Sequence, residues 1–234
     1  MNAQTKTRLG LTGNQLKLLA LITMTCDHIG VSLFPQCTAL RIIGRLSLPI
    51  FAYMIAEGCR YTRNRTKYFF HMAVLALVCQ VVYFFAMGSL YQCILVTFSL
   101  SILLIYSLDY AEKHKTVSSW GGFILLAAVI FFLSTLLPAL LPHTNYGIDY
   151  GFFGIVLPLL VFLGNTPHQR LLLTASGLCL LALDYGGIQW FSLASIPILA
   201  LYTGTRGQSK IKYLFYIYYP AHLVVIYLLS LVLR

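Results

Sequence analysis

Between Gln15 and Leu233, apolar runs of roughly membrane-crossing length follow one another with only short polar breaks. A soluble globule cannot hide such runs, because it needs charge on about a quarter of its residues to solvate its surface. Here 9% of the 234 residues are charged and 59% are hydrophobic. The expected fold class is therefore an all-α polytopic membrane protein, since helices satisfy their own backbone groups in lipid. At about 20 apolar residues per helix plus short loops, the length suffices for a bundle of about nine transmembrane helices and little else. Residues 1–234 are accordingly expected to form a single membrane-embedded domain, with 1–14 a short cytoplasmic N-terminal segment. This excludes a tethered extracytoplasmic enzyme, a kinase-type sensor and an ATP-driven transporter with its own nucleotide-binding domain.

The nine expected spans are Gln15 to Phe34, Ile42 to Tyr61, Tyr68 to Met87, Ile94 to Tyr110, Trp120 to Leu141, Ile148 to Leu163, Leu171 to Leu183, Ile188 to Tyr202 and Leu214 to Leu233. The seventh is short enough to be tilted, re-entrant or buried. Thr12 and Gln15 have the spacing of a capping box at the start of the first. That first run contains Asp27 and His28 and shows no small-residue cleavage site, so it is expected to be retained.

The net charge of +10 reports orientation before it suggests nucleic acid. Lys6, Arg8 and Lys17 precede or open span 1; Arg60, Arg63, Arg65 and Lys67 follow span 2; Lys113 and Lys115 follow span 4; Arg170 follows span 6; Arg206, Lys210 and Lys212 follow span 8. The loops after spans 3, 5 and 7 carry none, which puts the N-terminus and the even-numbered loops in the cytoplasm. Arg41 and Arg45, at the outer entrance to span 2, break the rule, as does terminal Arg234.

An ionisable side chain near the bilayer centre costs about 2.5–3.5 kcal/mol on insertion scales and usually marks a site. His28 lies eleven residues beyond Lys17, a rise of roughly 16 Å, on nearly the same helix face. Asp27 points about 100° away and needs a partner from another helix. Arg45 is the expected one, because a desolvated guanidinium–carboxylate pair offsets both burial costs. A histidine in mid-membrane could serve as general base or as part of a proton relay, and it could equally be a structural hydrogen-bonding group.

The four cations in the eight residues Arg60 to Lys67 suit either topology and anionic headgroups or a phosphate clamp. Glu57, three residues before Arg60, is placed to pair with it. Asp149 and Tyr150 open span 6, where a carboxylate suits a helix N-terminus or an acceptor. Asp184 to Gly187 reads as an outer turn. Tyr219 and His222 lie in the last span around Pro220, and His222 is a candidate for site lining. The six cysteines form no Cys-x-x-Cys pair and read as small hydrophobes. Metal-ligand spacings, Gly-rich nucleotide fingerprints and Gly-x-Ser-x-Gly elbows are absent, so chemistry would depend on His28.

The block Leu40-Arg41-Ile42-Ile43-Gly44-Arg45-Leu46-Ser47-Leu48-Pro49-Ile50-Phe51, preceded by Leu16-Lys17 and Asp27-His28-Ile29-Gly30, continues through Ala56-Glu57-Gly58 to Thr62-Arg63-Asn64-Arg65. With Asp149-Tyr150-Gly151 and Tyr219-Pro220-Ala221-His222-Leu223, it resembles the TraX family of bacterial membrane acetyltransferases, named for an enzyme that acetylates the N-terminus of conjugative pilin. Lys17 and His28 also fit the basic-x10-His spacing of the wider transmembrane acyltransferase superfamily, which includes the lysosomal heparan glucosaminide N-acetyltransferase. One departure is Cys79-Gln80-Val81-Val82-Tyr83, where a proline is expected after the polar residue.

The resemblance implies an acetyl-CoA-dependent acyltransferase of the bacterial cytoplasmic membrane. It implies His28 as the catalytic histidine, aided by Asp27 and Arg45, with Lys17, Arg60, Arg63, Arg65 and Lys67 toward the CoA. Glu57, Asp149, Tyr150, Tyr219 and His222 are the expected acceptor contacts. The expected partners are acyl-CoA, the lipid bilayer and an acceptor that is a pilin-like protein, a glycan or a lipid, without metal or nucleic acid. The alternative is a proton-coupled transporter in which Asp27, His28 and His222 form the relay.

Overall fold

The structure is a computed structural model that describes residues 10–207 and 212–233. In chain order it contains α1 (Gly13–Ser32), α2 (Thr38–Gly44), α3 (Ser47–Tyr61), α4 (Arg65–Met87), β1 (Tyr91–Gln92), α5 (Ile94–His114) and α6 (Val117–Phe131). A π-helical turn, Phe132–Leu136, leads to α7 (Leu137–Leu140), followed by β2 (Gly147–Ile148), α8 (Gly151–Leu163) and α9 (Pro167–Tyr185). A 3₁₀ segment, Gly187–Ala194, precedes α10 (Ser195–Ala200), and the last helix is α11 (Lys212–Leu233). Four helical stretches are long and apolar enough to cross a bilayer, as a membrane protein requires: Thr38–Tyr61, Arg65–Phe85, Ile94–His114 and Val117–Leu140. Helix α1 has the length, 20 residues, but spends part of it on Asn14, Gln15, Lys17, Asp27 and His28.

Several expected spans differ from the helices observed. The eighth, Ile188 to Tyr202, is no continuous α-helix: it is eight residues of 3₁₀ helix joined to the six of α10. The seventh is longer than its apolar run, because Thr166 and Gln169 form a capping box and Pro167 starts the helix. The sixth starts at Gly151, and its α-helix is only 13 residues long. The second begins at Thr38 and turns at Arg45 and Leu46 before α3, where Pro49 brings no N–H. Within the fifth, Pro138 also lacks a donor, and the turn before it widens so that the Leu137 N–H reaches the Phe132 carbonyl. The all-α expectation missed one small element, the parallel pairing of Tyr91 with Gly147 and Gln92 with Ile148.

The chain divides into two compact units, one over Met1–Phe51 with Gly187–Arg234 and the other over Ala52–Gly186. In the first, α1 and α2 form an antiparallel hairpin closed by residues 33–37. Two glycines allow the close approach: a Cβ at Gly44 would lie 2.3 Å from Asp27 Cβ, and one at Gly30 would lie 3.0 Å from Leu40 Cβ. The Thr12–Gln15 capping box starts α1 as its spacing predicts. Just before it, Leu11 lies beside Tyr202, the Leu11 N–H donating to the Leu201 carbonyl at 2.8 Å. Leu16, Ala20, Ile50 and Leu199 are buried in this unit.

In the second unit α5 packs against α4, α6 and α8, and α8 against α9. Phe98, Ile102, Leu104, Ile105, Ile155, Leu157, Leu178 and Leu181 fill the core. Ser101 Oγ bonds the Ile155 carbonyl at 2.8 Å, a polar tie between α5 and α8 of the kind that replaces hydrophobic drive in lipid. By contrast α4 and α6 expose Phe70, Val74, Leu77, Val78, Ile124, Leu125 and Val129, an outward apolar surface suited to acyl chains. Of the cations used to orient the chain, Lys6, Arg8, Lys210 and Arg234 lie outside the described residues, as does most of the expected N-terminal segment 1–14.

Candidate functional site

The first unit collects its unusual residues around one stretch of α1. Asp27 accepts from Arg45 at 2.5 Å and from Arg41 at 3.0 Å, one carboxylate oxygen for each guanidinium. Both arginines lie on α2 or its end, four residues apart and hence on one face. Arg45 is the more deeply held, with 9% side-chain exposure against 29% for Arg41. It also reaches the Arg41 carbonyl through Nε at 3.3 Å and Gln189 Oε1 through Nη1 at 3.3 Å. Two guanidiniums thus share one carboxylate.

One residue on, His28 turns to a different neighbour. Its Nδ1 lies 2.8 Å from Nε2 of His222 on α11, with the ring centroids 5.0 Å apart. His222 is buried, and its own Nδ1 lies 2.9 Å from the Tyr218 carbonyl. Tyr218 stacks on the His222 ring at 5.2 Å and 11°, and buried Tyr219 meets it edge-on at 5.5 Å. A second rung lies one turn earlier: the Tyr218 hydroxyl is 2.7 Å from Thr25 Oγ1, which donates to the Leu21 carbonyl at 2.8 Å. Thr25 must therefore accept from Tyr218. Lys17 sits on α1 three turns before His28, partly buried.

The second unit holds the remaining polar residues. Glu57 pairs with Arg170 at 2.7 Å, not with Arg60, because Arg60 turns to the Phe162 and Gly164 carbonyls at 2.5 and 2.9 Å. Those are carbonyls at the C-terminus of α8 that its own helix leaves unpaired. Arg65 pairs with Asp109, which also binds Lys113 at 2.8 Å. The four cations of 60–67 therefore do not form a common open clamp. Arg63 and Lys67 are exposed, and no described residue engages their charged ends.

Asp149 does not cap α8 as its position suggests. Tyr150 is the N-cap, in the left-handed conformation at φ 59°, and makes no side-chain cap bond. The Asp149 carboxylate instead accepts from the Tyr91 hydroxyl at 3.1 Å, and its carbonyl accepts from Thr97 Oγ1 at 2.7 Å. Burial of that hydroxyl, with the Asp149 carboxylate next in effect, holds the Tyr91 phenol above its usual range. Gly186 and Gly187, both at positive φ, make the turn expected after Asp184. Among the described residues no three His, Cys, Asp or Glu side chains converge as a metal site needs.

The structure thus brings Asp27, Arg45, His28 and His222 into one unit, with Tyr219 beside them. Arg41, Gln189, Thr25 and Tyr218 belong to the same cluster, yet sequence reasoning gave none of them a partner. Arg41 carried a signal, its breach of the positive-inside rule together with its four-residue spacing to Arg45. Gln189 carried none.

A model of the family described as TraX protein matches residues 12–230. The chain belongs to the TraX family. Among curated relatives of this TraX-family chain, RP591 of Rickettsia prowazekii (strain Madrid E), described as uncharacterized, is 29% identical over 157 residues, 66% of this chain and 56% of the relative. A probable fimbrial assembly protein, FimC of serogroup H1, from Dichelobacter nodosus is 32% identical over 73 residues, 30% of either chain. The match thus spans about half of the first relative's length and less than a third of the second's. No solved structure matches the chain.

Proposed function

We propose that this TraX-family chain is a membrane acyltransferase that moves an acetyl group from acetyl-CoA to an amine or hydroxyl of an envelope acceptor, with His28 as general base. The observation that carries the reading is the state of the two adjacent ionisable groups on α1. Each oxygen of the Asp27 carboxylate holds a guanidinium, whereas the His28 imidazole is held by one ring nitrogen and, among the described residues, no bond to the other is seen.

In the proposed reaction the free ring nitrogen takes the proton as the acceptor's nitrogen or oxygen attacks the thioester carbonyl carbon. The tetrahedral oxyanion then collapses, the C–S bond breaks, and the departing thiolate takes the proton from His28. An acyl-His intermediate is the covalent variant of the same chemistry. Arg45 uses Nε, Nη1 and Nη2 on chain partners and serves as the anchor of Asp27. Arg41, more exposed and bound to Asp27 through Nη1, is the better donor for the oxyanion. Arg63 and Lys67, exposed, are the proposed contacts for CoA phosphates; Arg60 and Arg65 are occupied elsewhere.

The family and the name of the Dichelobacter relative favour a pilin-like acceptor within this proposal. The proposed setting is the bacterial cytoplasmic membrane, with about nine crossings and the N-terminus inside. Purified protein in lipid nanodiscs, given labelled acetyl-CoA and an envelope extract, should transfer label. His28→Ala should abolish transfer while acetyl-CoA still binds, and retained turnover would reject the assignment. The hydrogen-bonded histidine pair also suits a proton relay, the transporter reading, which requires gradient-dependent flux and no affinity for CoA.

A further inference from the structure

We infer that His222 is a positioning residue that fixes the tautomer of His28, so that the proton sits on His28 Nδ1 and the lone pair on Nε2. The inference rests on His28 being the base proposed above, but its structural half can be measured without any activity.

The direction of each hydrogen bond follows from what its partner can do. A backbone carbonyl only accepts, so the His222 Nδ1 that lies 2.9 Å from the Tyr218 oxygen must carry a hydrogen. A neutral imidazole has one N–H, which leaves His222 Nε2 as an acceptor. Its neighbour at 2.8 Å is His28 Nδ1, which must then donate. The remaining nitrogen of His28, Nε2, is left with its lone pair. The other arrangements charge the pair: a His222 imidazolium would donate from both nitrogens and put the proton of a neutral His28 on Nε2, and a His28 imidazolium would carry protons on both of its nitrogens, so that either blocks His28 as a base. The surroundings oppose both. Arg41 and Arg45 already stand at Asp27, next to His28 in the chain, and His222 is 6% exposed, so a further cation would be buried beside two existing ones.

The chain holds His222 for this purpose on three sides. Tyr218 stacks on one face of its ring, Tyr219 presses on it edge-on, and the Tyr218–Thr25 rung ties α11 to α1 one turn before His28. Thr25 and His28 are three apart on α1, and Tyr218 and His222 are four apart on α11, so both rungs form between the same two helix faces. The run Tyr218-Tyr219-Pro220-Ala221-His222 thus supplies both the ring and its clamp. His222 moves from the acceptor contacts, where sequence reasoning put it, to the support of the base. It touches no reacting atom and acts through His28, as a group that hydrogen-bonds the far nitrogen of a histidine ligand or base sets its tautomer.

The test has a spectroscopic and a kinetic arm. With ¹⁵N-histidine labelling and full-length protein in nanodiscs, wild type should show His28 protonated at Nδ1 and bare at Nε2, with His222 likewise protonated at Nδ1. Assignment comes from His28→Gln and His222→Gln spectra. In His222→Gln, Oε1 lies the same number of bonds from Cα as the lost Nε2 and can accept from His28. That variant should keep kcat within about tenfold of wild type. His222→Leu, which cannot accept, should lose about a hundredfold in kcat with KM for acetyl-CoA little changed, within the range general-base catalysis supplies. Thermal midpoints of both variants show that each is folded. A wild-type His28 protonated at Nε2, or a folded Gln variant no better than Leu, overturns the inference. If wild type shows the stated tautomer but transfers no acetyl group, the positioning stands and the proposed function falls.

Discussion

Asp27→Ala is the substitution whose cost the geometry fixes most tightly. It removes the one carboxylate shared by two guanidiniums, taking from Arg45, 9% exposed, the carboxylate it holds at 2.5 Å. Breaking a buried pair from one side costs about 3–5 kcal/mol, because the orphaned charge keeps its desolvation penalty. Arg45→Ala should cost less, since Asp27 retains Arg41 at 3.0 Å and the remaining pair is neutral. Arg41→Ala should cost least, about 1 kcal/mol, because its side chain is 29% exposed and partly hydrated. The assay is reversible unfolding in detergent for the three single variants and the Asp27→Ala/Arg45→Ala double. The contact is lost once in the double and twice in the sum of singles, so the double should fall short of additivity by about 1.5 kcal/mol or more. Additivity within about 0.5 kcal/mol, or an Arg41→Ala loss equal to that of Asp27→Ala, would refute the shared-carboxylate account.

Gly44→Ala should destabilise by about 1–3 kcal/mol despite alanine's better helix propensity, because the new Cβ would overlap Asp27 Cβ; an unchanged unfolding midpoint would refute the close α1–α2 contact. Glu57→Ala should cost about 3 kcal/mol, as it strands an Arg170 side chain that is only 12% exposed, whereas Arg60→Ala should not reproduce that loss in a double cycle with it. The pair Arg63→Ala/Lys67→Ala should raise KM for acetyl-CoA about tenfold with kcat unchanged, an effect that shrinks as salt is added; an unaltered KM removes these two from the proposed donor site. Spectrophotometric titration should find Tyr91 ionising above the ordinary phenol range. The stability it lends is then full below pH about 10 and lost as pH rises through the raised value, and Asp149→Asn should lower that value.

What the sequence made legible was whatever depended on exposure to lipid and on local spacing. Apolar length marks out α4, α5 and α6, because outward faces such as Val74-Leu77-Val78 must be apolar over the whole crossing. The capping box at Thr12 and the need of Asp27 for a distant cation were also readable, since both follow from groups that cannot be left unsatisfied. Ionic partner choice was not. Glu57 ignores Arg60 one turn away for Arg170, 113 positions later, because Arg60 can satisfy the open carbonyls ending α8. Nor was the broken stretch Gly187–Ala200 readable, since apolarity alone does not separate a 3₁₀ segment from an α-helical one. Gln189 comes from that stretch, which is why it went unseen as a partner of Arg45.

The two rungs between α1 and α11 also constrain how the chain threads a membrane. Thr25 meets Tyr218 and His28 meets His222, so both sequences advance in the same sense and the two helices run parallel. Parallel helices that both cross a bilayer have an even number of crossings from the start of one to the start of the other, so the total including the last is odd. The proposed nine crossings meet that condition, as any odd number does. If α1, α2–α3, α4, α5, α6–α7 and α11 all cross, then of α8, α9 and the 3₁₀–α10 pair either all three or just one must cross for the first and last helices to keep their common direction. The His28–His222 bond therefore ties the proposed base not only to its supporting ring but to the parity of the whole topology.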